Sequence, residues 1–216
     1  MTTSSRVKPS LIHDDIKSTL ISMTLPMLVG MITLMTFSLV DTFFISMLGT
    51  EQLAAISFTF PISFALISLV IGLSIGTSAV IAKALGAGRL TEARTDGQVA
   101  LWLSGILVAL LAIPGYLFTD TLFGLLGAND TILVYIRQYM DVWFAGAVLL
   151  ALPMVGNAVL RAAGDTKTPS IIMACSGLVN AVLDPILIFG FGPIPALGMQ
   201  GAAIATLISW VFGSVL

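Results

Sequence analysis

From about residue 20 onward the chain alternates long apolar runs with short polar, glycine-rich punctuation. Six runs approach or exceed the roughly 20 mostly apolar residues that a helix needs to cross a bilayer. They lie near 20–48, 53–82, 98–118, 132–160, 170–191 and 199–216. The breaks between them carry turn chemistry: Gly49-Thr50-Glu51-Gln52, Gly86-Ala87-Gly88-Arg89, Gly127-Ala128-Asn129-Asp130, Gly164-Asp165-Thr166-Lys167 and Gly190-Phe191-Gly192-Pro193. The first, second and fourth runs are longer than a bilayer requires, so they must tilt, bend or extend into water. Pro26, Pro61 and Pro153 fall inside those three and supply places to kink. The pattern predicts an all-α integral membrane protein. Its fold is a bundle of six transmembrane helices over 20–216, preceded by a cytoplasmic N-terminal segment at 1–19.

Composition agrees and removes the alternatives. Only 9% of the 216 residues are charged and 57% are hydrophobic, with a mean hydropathy of +1.07. A soluble domain carries about 25% charged residues, so a water-soluble globule, a disordered chain and a nucleic-acid binder are all excluded. The segment before residue 20 has no continuous apolar core and no small-residue cleavage site, so no cleavable leader is expected. Cys175, the single cysteine, permits no internal disulfide and reads as a small buried hydrophobe; His13, the single histidine, reads as solvated. The basic residues orient the bundle. Arg6, Lys8, Lys17, Lys83, Arg89, Arg94, Arg161 and Lys167 fall on one side of the six runs, against Arg137 alone on the other, with Asp141 one turn away as its expected i,i+4 partner. The positive-inside rule makes the crowded side, and with it the N-terminus, cytoplasmic.

Two ionisable residues are left deep in hydrocarbon: Asp41 in the first run and Asp184 in the fifth. An uncompensated carboxylate there costs several kcal/mol, and intramembrane acids mark ion pathways by default. No Lys or Arg stands at their depth. Each must face a polar cavity, bind a cation or carry a proton. Both lie eight residues inward of a glycine that closes their run, Gly49 and Gly192, which is roughly 12 Å below the outer end at 1.5 Å per residue. Asn180 sits one turn from Asp184 on the same face. Thr206, in the sixth run, reaches a similar depth. Carboxylate, amide and hydroxyl oxygens at one level suit a hard cation such as Na⁺, or a proton. Pro185 either frees the Ala181 carbonyl for the same cavity or is an ordinary kink.

Weaker signals surround these residues. Thr36, Ser38, Thr42 and Ser46 either line a polar path or bond back to their own helix. Met23, Met27, Met31 and Met35 recur every fourth residue, as packing or as an adaptable contact surface. Gly72 and Gly76 form a small-xxx-small pattern that suits helix packing. No phosphate-cradling loop, zinc signature or Ser-His-Asp set is present, so ATP-driven transport is unsupported, no cofactor is called for and the chain does not read as an enzyme. A membrane-embedded aspartyl protease would need a Gly-Asp within a span, and the one such pair, Gly164-Asp165, lies in a loop.

Several stretches together resemble the multidrug and toxic compound extrusion (MATE) transporters. They are Leu25-Pro26-Met27 followed by Asp41, then Gly72-Leu73-Ser74-Ile75-Gly76-Thr77 continuing into Ala82 to Gly88. They continue with Gly156 to Lys167, Leu178 to Pro185 and Gly201 to Thr206. The pair of acids is similar to the DNA-damage-inducible and archaeal branch. The resemblance implies a pseudo-symmetric twelve-helix protein about twice this length, of which this chain is the N-terminal six-helix lobe. A further six-span segment beyond Leu216 would be the missing C-terminal lobe. It implies an antiporter in the inner membrane of a prokaryote. Such a protein exports cationic or amphipathic small molecules in exchange for H⁺ or Na⁺. It also implies a cation site at Asp41, Asn180, Asp184 and Thr206, with Asn157, Tyr139 and Pro26 supporting the cavity and Phe37, Met31 and Met35 lining the substrate path. Met154 and Phe37 replace an asparagine and a tyrosine of archaeal relatives. Both changes remove polar groups from a Na⁺ shell and tilt the expectation toward H⁺. The alternatives are a flippase for a lipid-linked precursor, which would need a basic cavity these runs lack, and a membrane protein that transports nothing. Beyond the substrates, the partners implied are lipids and the second lobe.

Overall fold

The computed structural model describes residues 16–216, so the basic residues Arg6 and Lys8, His13 and most of the expected N-terminal segment lie outside the described residues. Eight helices make up the described fold: α1 (Ile16–Ser46), α2 (Thr50–Gly86), α3 (Leu90–Leu117), α4 (Thr119–Leu125), α5 (Asp130–Gly146), α6 (Val148–Ala162), α7 (Lys167–Phe189) and α8 (Met199–Val215). Among the described residues, α1, α2, α3 and α7 are each long and apolar enough to cross a membrane. The pair α5 and α6 passes that test as one bent span, and α8, at 17 residues, is a shorter apolar helix.

Helix ends follow local chemistry. Gly88, Gly127 and Gly164 each have positive φ. At each, the next residue's N–H reaches back five residues to a carbonyl: Arg89 to Ala84, Ala128 to Phe123 and Asp165 to Leu160. This is the Schellman closure, and it needs a residue without a Cβ at that position. At the start of α7 the Asp165 carboxylate accepts from the backbone of Lys167 and Thr168 and from the Thr168 hydroxyl (2.6 Å). The Asn129 side chain accepts from the N–H of Ile132 at the start of α5.

Three expectations need correction. The third helix starts at Leu90, about two turns before the apolar run at 98, because polar residues of the preceding break join its first turns. The fourth run does not kink at Pro153. It breaks by 53° at Ala147, between α5 and α6, where Gly146 lies so close to the Leu207 side chain of α8 that a Cβ would overlap it. Pro26 and Pro61 lie inside unbroken helices. The third correction concerns Arg137. Its guanidinium grips the carboxylate of Asp120 on α4 with two bonds, 2.5 and 2.7 Å, rather than Asp141. Asp141 keeps one buried oxygen without a donor. The short helix α4, which apolar periodicity gave no reason to expect, is what supplies the other partner.

That pair supports a small, pH-dependent prediction. Arg137 holds the Asp120 carboxyl below its ordinary value of 3.8. A lowered acid contributes stability above its unfolded value and loses it as pH falls through the lowered one. Both side chains are about half exposed, at 48% and 53%, so the gain is slight. Asp120→Asn should lower the melting temperature in detergent by no more than about 2 °C at pH 7, and the difference should fade as pH falls below the ordinary carboxylate range. A loss of 10 °C would show that the pair matters far more than exposed pairs do.

The helices sort into two sets. α2, α3, α5 and α6 pack together; α1 packs chiefly on α7, and α7 on α8, while α8 joins the sets through α5 and α6. The buried core is continuous, from Ile45, Val70 and Val108 through Phe123, Ile136 and Met140 to Ile188 and Met199. Trp143 sits edge-on against both Phe144 and Trp210, with ring centres 5.8 Å apart in each case. Within the first set, the Ser78 hydroxyl of α2 donates to the Ala158 carbonyl of α6 at 2.8 Å.

Candidate functional site

α1 and α7 run side by side in the same direction, and their contacts climb in step. Near one end Gly30 lies against Ser170, and further along Phe37 lies against Gly177. Next comes Asp41 beside Asp184, and then Phe44 edge-on to Phe189 at 6.3 Å. The glycines explain the closeness. A Cβ on Gly177 would overlap the Phe37 ring, and one on Gly30 would come within 3.2 Å of the Ser170 backbone.

The two acids therefore meet across the seam. Asp184 is fully buried, at 0% exposure, and Asp41 is half-buried. Asn180, one turn before Asp184, donates from Nδ2 to Asp184 Oδ1 at 3.2 Å. Asp184 Oδ2 and Asp41 Oδ1 are buried with no hydrogen-bond donor. A third wall comes from α5 and α8. Tyr139 is buried, with its hydroxyl beside Thr206 and both carboxylates in electrostatic reach. The Thr206 hydroxyl donates to the Ala202 carbonyl of its own helix at 3.1 Å, which leaves its lone pairs free to accept. The short residues Gly201, Ala202, Ala203 and Ala205 are buried along α8 and let it come close.

Chemically this is an acceptor-rich pocket with a deficit of positive charge. Two buried carboxylate oxygens lack a donor, Asn180 serves only the other oxygen of Asp184, and no Lys or Arg pairs with either acid among the described residues. A proton or a small hard cation removes the deficit. Among the described residues no three His, Cys, Asp or Glu side chains come together as a metal site would require. The oxygens here would suit a loosely held cation in transit.

The structure brings Asp41, Asn180, Asp184, Thr206 and Tyr139 to one place. Asn157 is buried on α6, and no hydrogen bond among the described residues joins it to the acids. Pro26 lies on α1 some four turns below Asp41, and its carbonyl accepts from Ser170 at 2.7 Å. Phe37 fills the slot over Gly177. Met31 and Met35 are 52% and 68% exposed on the outer face of α1 and do not gather at the acids. The hydroxyls of Thr36, Thr42 and Ser46 bond back to carbonyls of α1, which decides between the two readings of that cluster for those three. Sequence reasoning missed Ser170 and Gly177. The signal was present: Ser170, Gly177 and Asp184 recur every seventh residue, the spacing of a helix seam.

The comparisons with known proteins agree on one family. A family model described as MatE matches residues 26–186. The chain is 51% identical over 192 residues to an FAD transporter of Shewanella oneidensis, covering 89% of this chain and 42% of that protein. It is 28% identical to a probable multidrug resistance protein NorM of Thermotoga maritima, covering 93% and 43%. It is 30% identical to a multidrug export protein MepA of Staphylococcus aureus, covering 86% and 41%. Among solved structures it superimposes on the Vibrio cholerae MATE transporter VcmN in the bent form with a TM-score of 0.86 at 42% identity, covering 92% of this chain and 44% of that one. It superimposes on an outward-facing multidrug resistance MATE family transporter with a TM-score of 0.88 at 34% identity, covering 100% and 46%. The chain spans less than half the length of the curated relatives it matches.

Proposed function

The chain belongs to the MatE family of membrane transporters, and from that premise we propose that it forms the N-terminal lobe of a secondary antiporter that expels small molecules. Its N-terminus lies in the cytoplasm, and a second six-helix lobe completes the substrate cavity. Such a protein needs no catalytic residue. The observation that carries the reading is the Asp41–Asp184 pair, with its donorless buried oxygens, Asn180 bound to one side and Thr206 and Tyr139 closing the other. These residues take up the coupling ion. H⁺ is the better fit, since the one amide near the pair donates to a carboxylate and Phe37 and Met154 offer no oxygen; Na⁺ is the alternative. The broad exposed face of α1, with Met31 and Met35, becomes a wall of the cavity once the second lobe is present. Asn157 supports the packing of α6 on α2 behind it.

Two substrate classes compete. Several relatives are named as multidrug resistance or multidrug export proteins, which favours drugs, here taken as cationic or amphipathic. The 51% identity to a protein named as an FAD transporter favours a flavin dinucleotide. The deciding measurement uses the two-lobed protein in inner-membrane vesicles, loaded in parallel with FAD and with a cationic dye. Under an imposed pH gradient at zero Na⁺, and then a Na⁺ gradient at constant pH, one cargo should accumulate with one ion. If neither cargo moves under either gradient, the proposal fails.

A further inference from the structure

We propose that the Ser170 hydroxyl is a latch that seats the Pro26 segment of α1 on α7, and that the latch and the Asp41–Asp184 pair report the same position of α1. The coupling half of this rests on the antiport reading above; the latch itself does not. Pro26 contributes no N–H to its helix, so the turn before it is held by one backbone bond fewer. At that weak point α1 is tied from outside. Ser170 Oγ lies 2.7 Å from the Pro26 carbonyl and 2.8 Å from the Thr166 carbonyl of its own helix. A serine hydroxyl has a single proton to give. It can tie α1 to α7, or turn back onto α7 and leave α1 untied. Neither position strands a buried donor, so release carries no desolvation penalty of its own. That makes the contact a two-position switch rather than a fixed bolt.

The rest of the seam suits such a switch. Gly30, the buried residue of the inner half of α1, leaves room for Ser170. Seven residues on, the Phe37 ring fits the notch at Gly177. The next step brings Asp41 to Asp184. Small residues at two of three levels allow α1 to ride along α7 without unpacking a core. Most other side chains of α1 are exposed in this lobe, so within it the seam with α7 is its chief hold. The state with the latch closed is also the state with the two carboxyls side by side. A cation or proton stabilises that juxtaposition, and the latch stabilises the same arrangement from the inner end. By linkage, weakening one must weaken the other. Ser170 is in this sense a positioning residue that touches neither ion nor substrate.

The test uses the two-lobed transporter with Cys175→Ala and spin labels at Leu20→Cys on α1 and Ile171→Cys on α7, both exposed positions. With Ser170 intact, a single short distance population is expected. Ser170→Ala should add a longer one, and Ser170→Thr, which keeps the hydroxyl, should restore the native distribution. In efflux assays Ser170→Ala should raise the ion concentration for half-maximal rate by about two- to tenfold, the worth of one hydrogen bond. The maximal rate should be near native, and Thr should again restore the ion requirement. If Ala leaves the distances unchanged, or if Ala and Thr behave alike, the latch is overturned. A change in distance with no change in ion requirement overturns the coupling. Absence of ion-driven efflux with Ser170 intact would instead refute the antiport reading, while the distances would still decide on the latch.

Discussion

Asp184→Asn should abolish ion-driven accumulation while leaving the lobe folded and able to equilibrate its cargo. Asp184 is the fully buried member of the acidic pair, and asparagine preserves its shape. The substitution also keeps an acceptor for Asn180, which donates to Oδ1. What disappears is the charge proposed to draw the coupling ion. Each elementary charge crossing with the ion is worth about 2.3 kcal/mol per 100 mV, or about fifty-fold in the concentration ratio it can sustain. Losing the charge should therefore remove at least that factor from the steady-state gradient in vesicles held at 100 mV. Downhill exchange of labelled substrate should persist. A variant that still concentrates its substrate as well as the native protein would exclude Asp184 from ion coupling.

The largest effect on stability is expected at Gly201, in the first turn of α8. A Cβ there would overlap the Leu187 carbonyl oxygen and press on the Ile188 nitrogen at 2.9 Å. The obstacle is backbone, so no rotamer change can relieve it. The same Leu187 carbonyl accepts from Leu197 at 2.9 Å and so anchors the loop between α7 and α8. Gly201→Val must push the helix and the loop apart together. Overpacking of this kind costs about 3 kcal/mol, which corresponds to a fall of about 6–12 °C in melting temperature for a protein of this size. Gly72→Ala is the control. Nothing lies within 4 Å of a Cβ at Gly72, and alanine favours the helix, so its melting temperature should equal or slightly exceed the native value. If the two variants melt alike, the close approach of α7 and α8 does not limit stability.

Much of the lobe was legible because a membrane leaves a chain few choices. Apolar length marked the long helices α1, α2, α3 and α7, though not α4 or the break that divides α5 from α6, since every backbone group in hydrocarbon must be satisfied within its own segment. The acids were legible for the same reason: a carboxylate that deep has few reasons to exist, and equal distances from Gly49 and Gly192 put both at one level. Asn180 followed from helix spacing. What stayed hidden depends on tertiary contact. Nothing in Gly146-Ala147-Val148 signals a 53° break; it follows from Gly146 meeting Leu207 of a helix sixty residues further on. Arg137 was paired in the sequence with Asp141 because helix spacing knows only neighbours on one helix, and α4 had no amphipathic pattern to announce it. Ser170 looked like any hydroxyl near a helix start. Its meaning came only from the carbonyl of Pro26, 144 residues away in sequence.

The dependence of α1 on α7 also governs the order in which the lobe can be built. α1 leaves the ribosome well before its main partner, which does not begin until Lys167, some 121 residues after Ser46. At about 5–20 residues per second that is an interval of about 6–24 s. Throughout it α1 must survive in lipid without its partner. Its hydroxyls are prepared for this, since Thr33, Thr36, Thr42 and Ser46 all bond to carbonyls within α1. Asp41 is not, because the residue that meets it has yet to be synthesised. Biogenesis and the proposed ion coupling thus place the same demand on one side chain: to be tolerated in hydrocarbon before it has anything to hold.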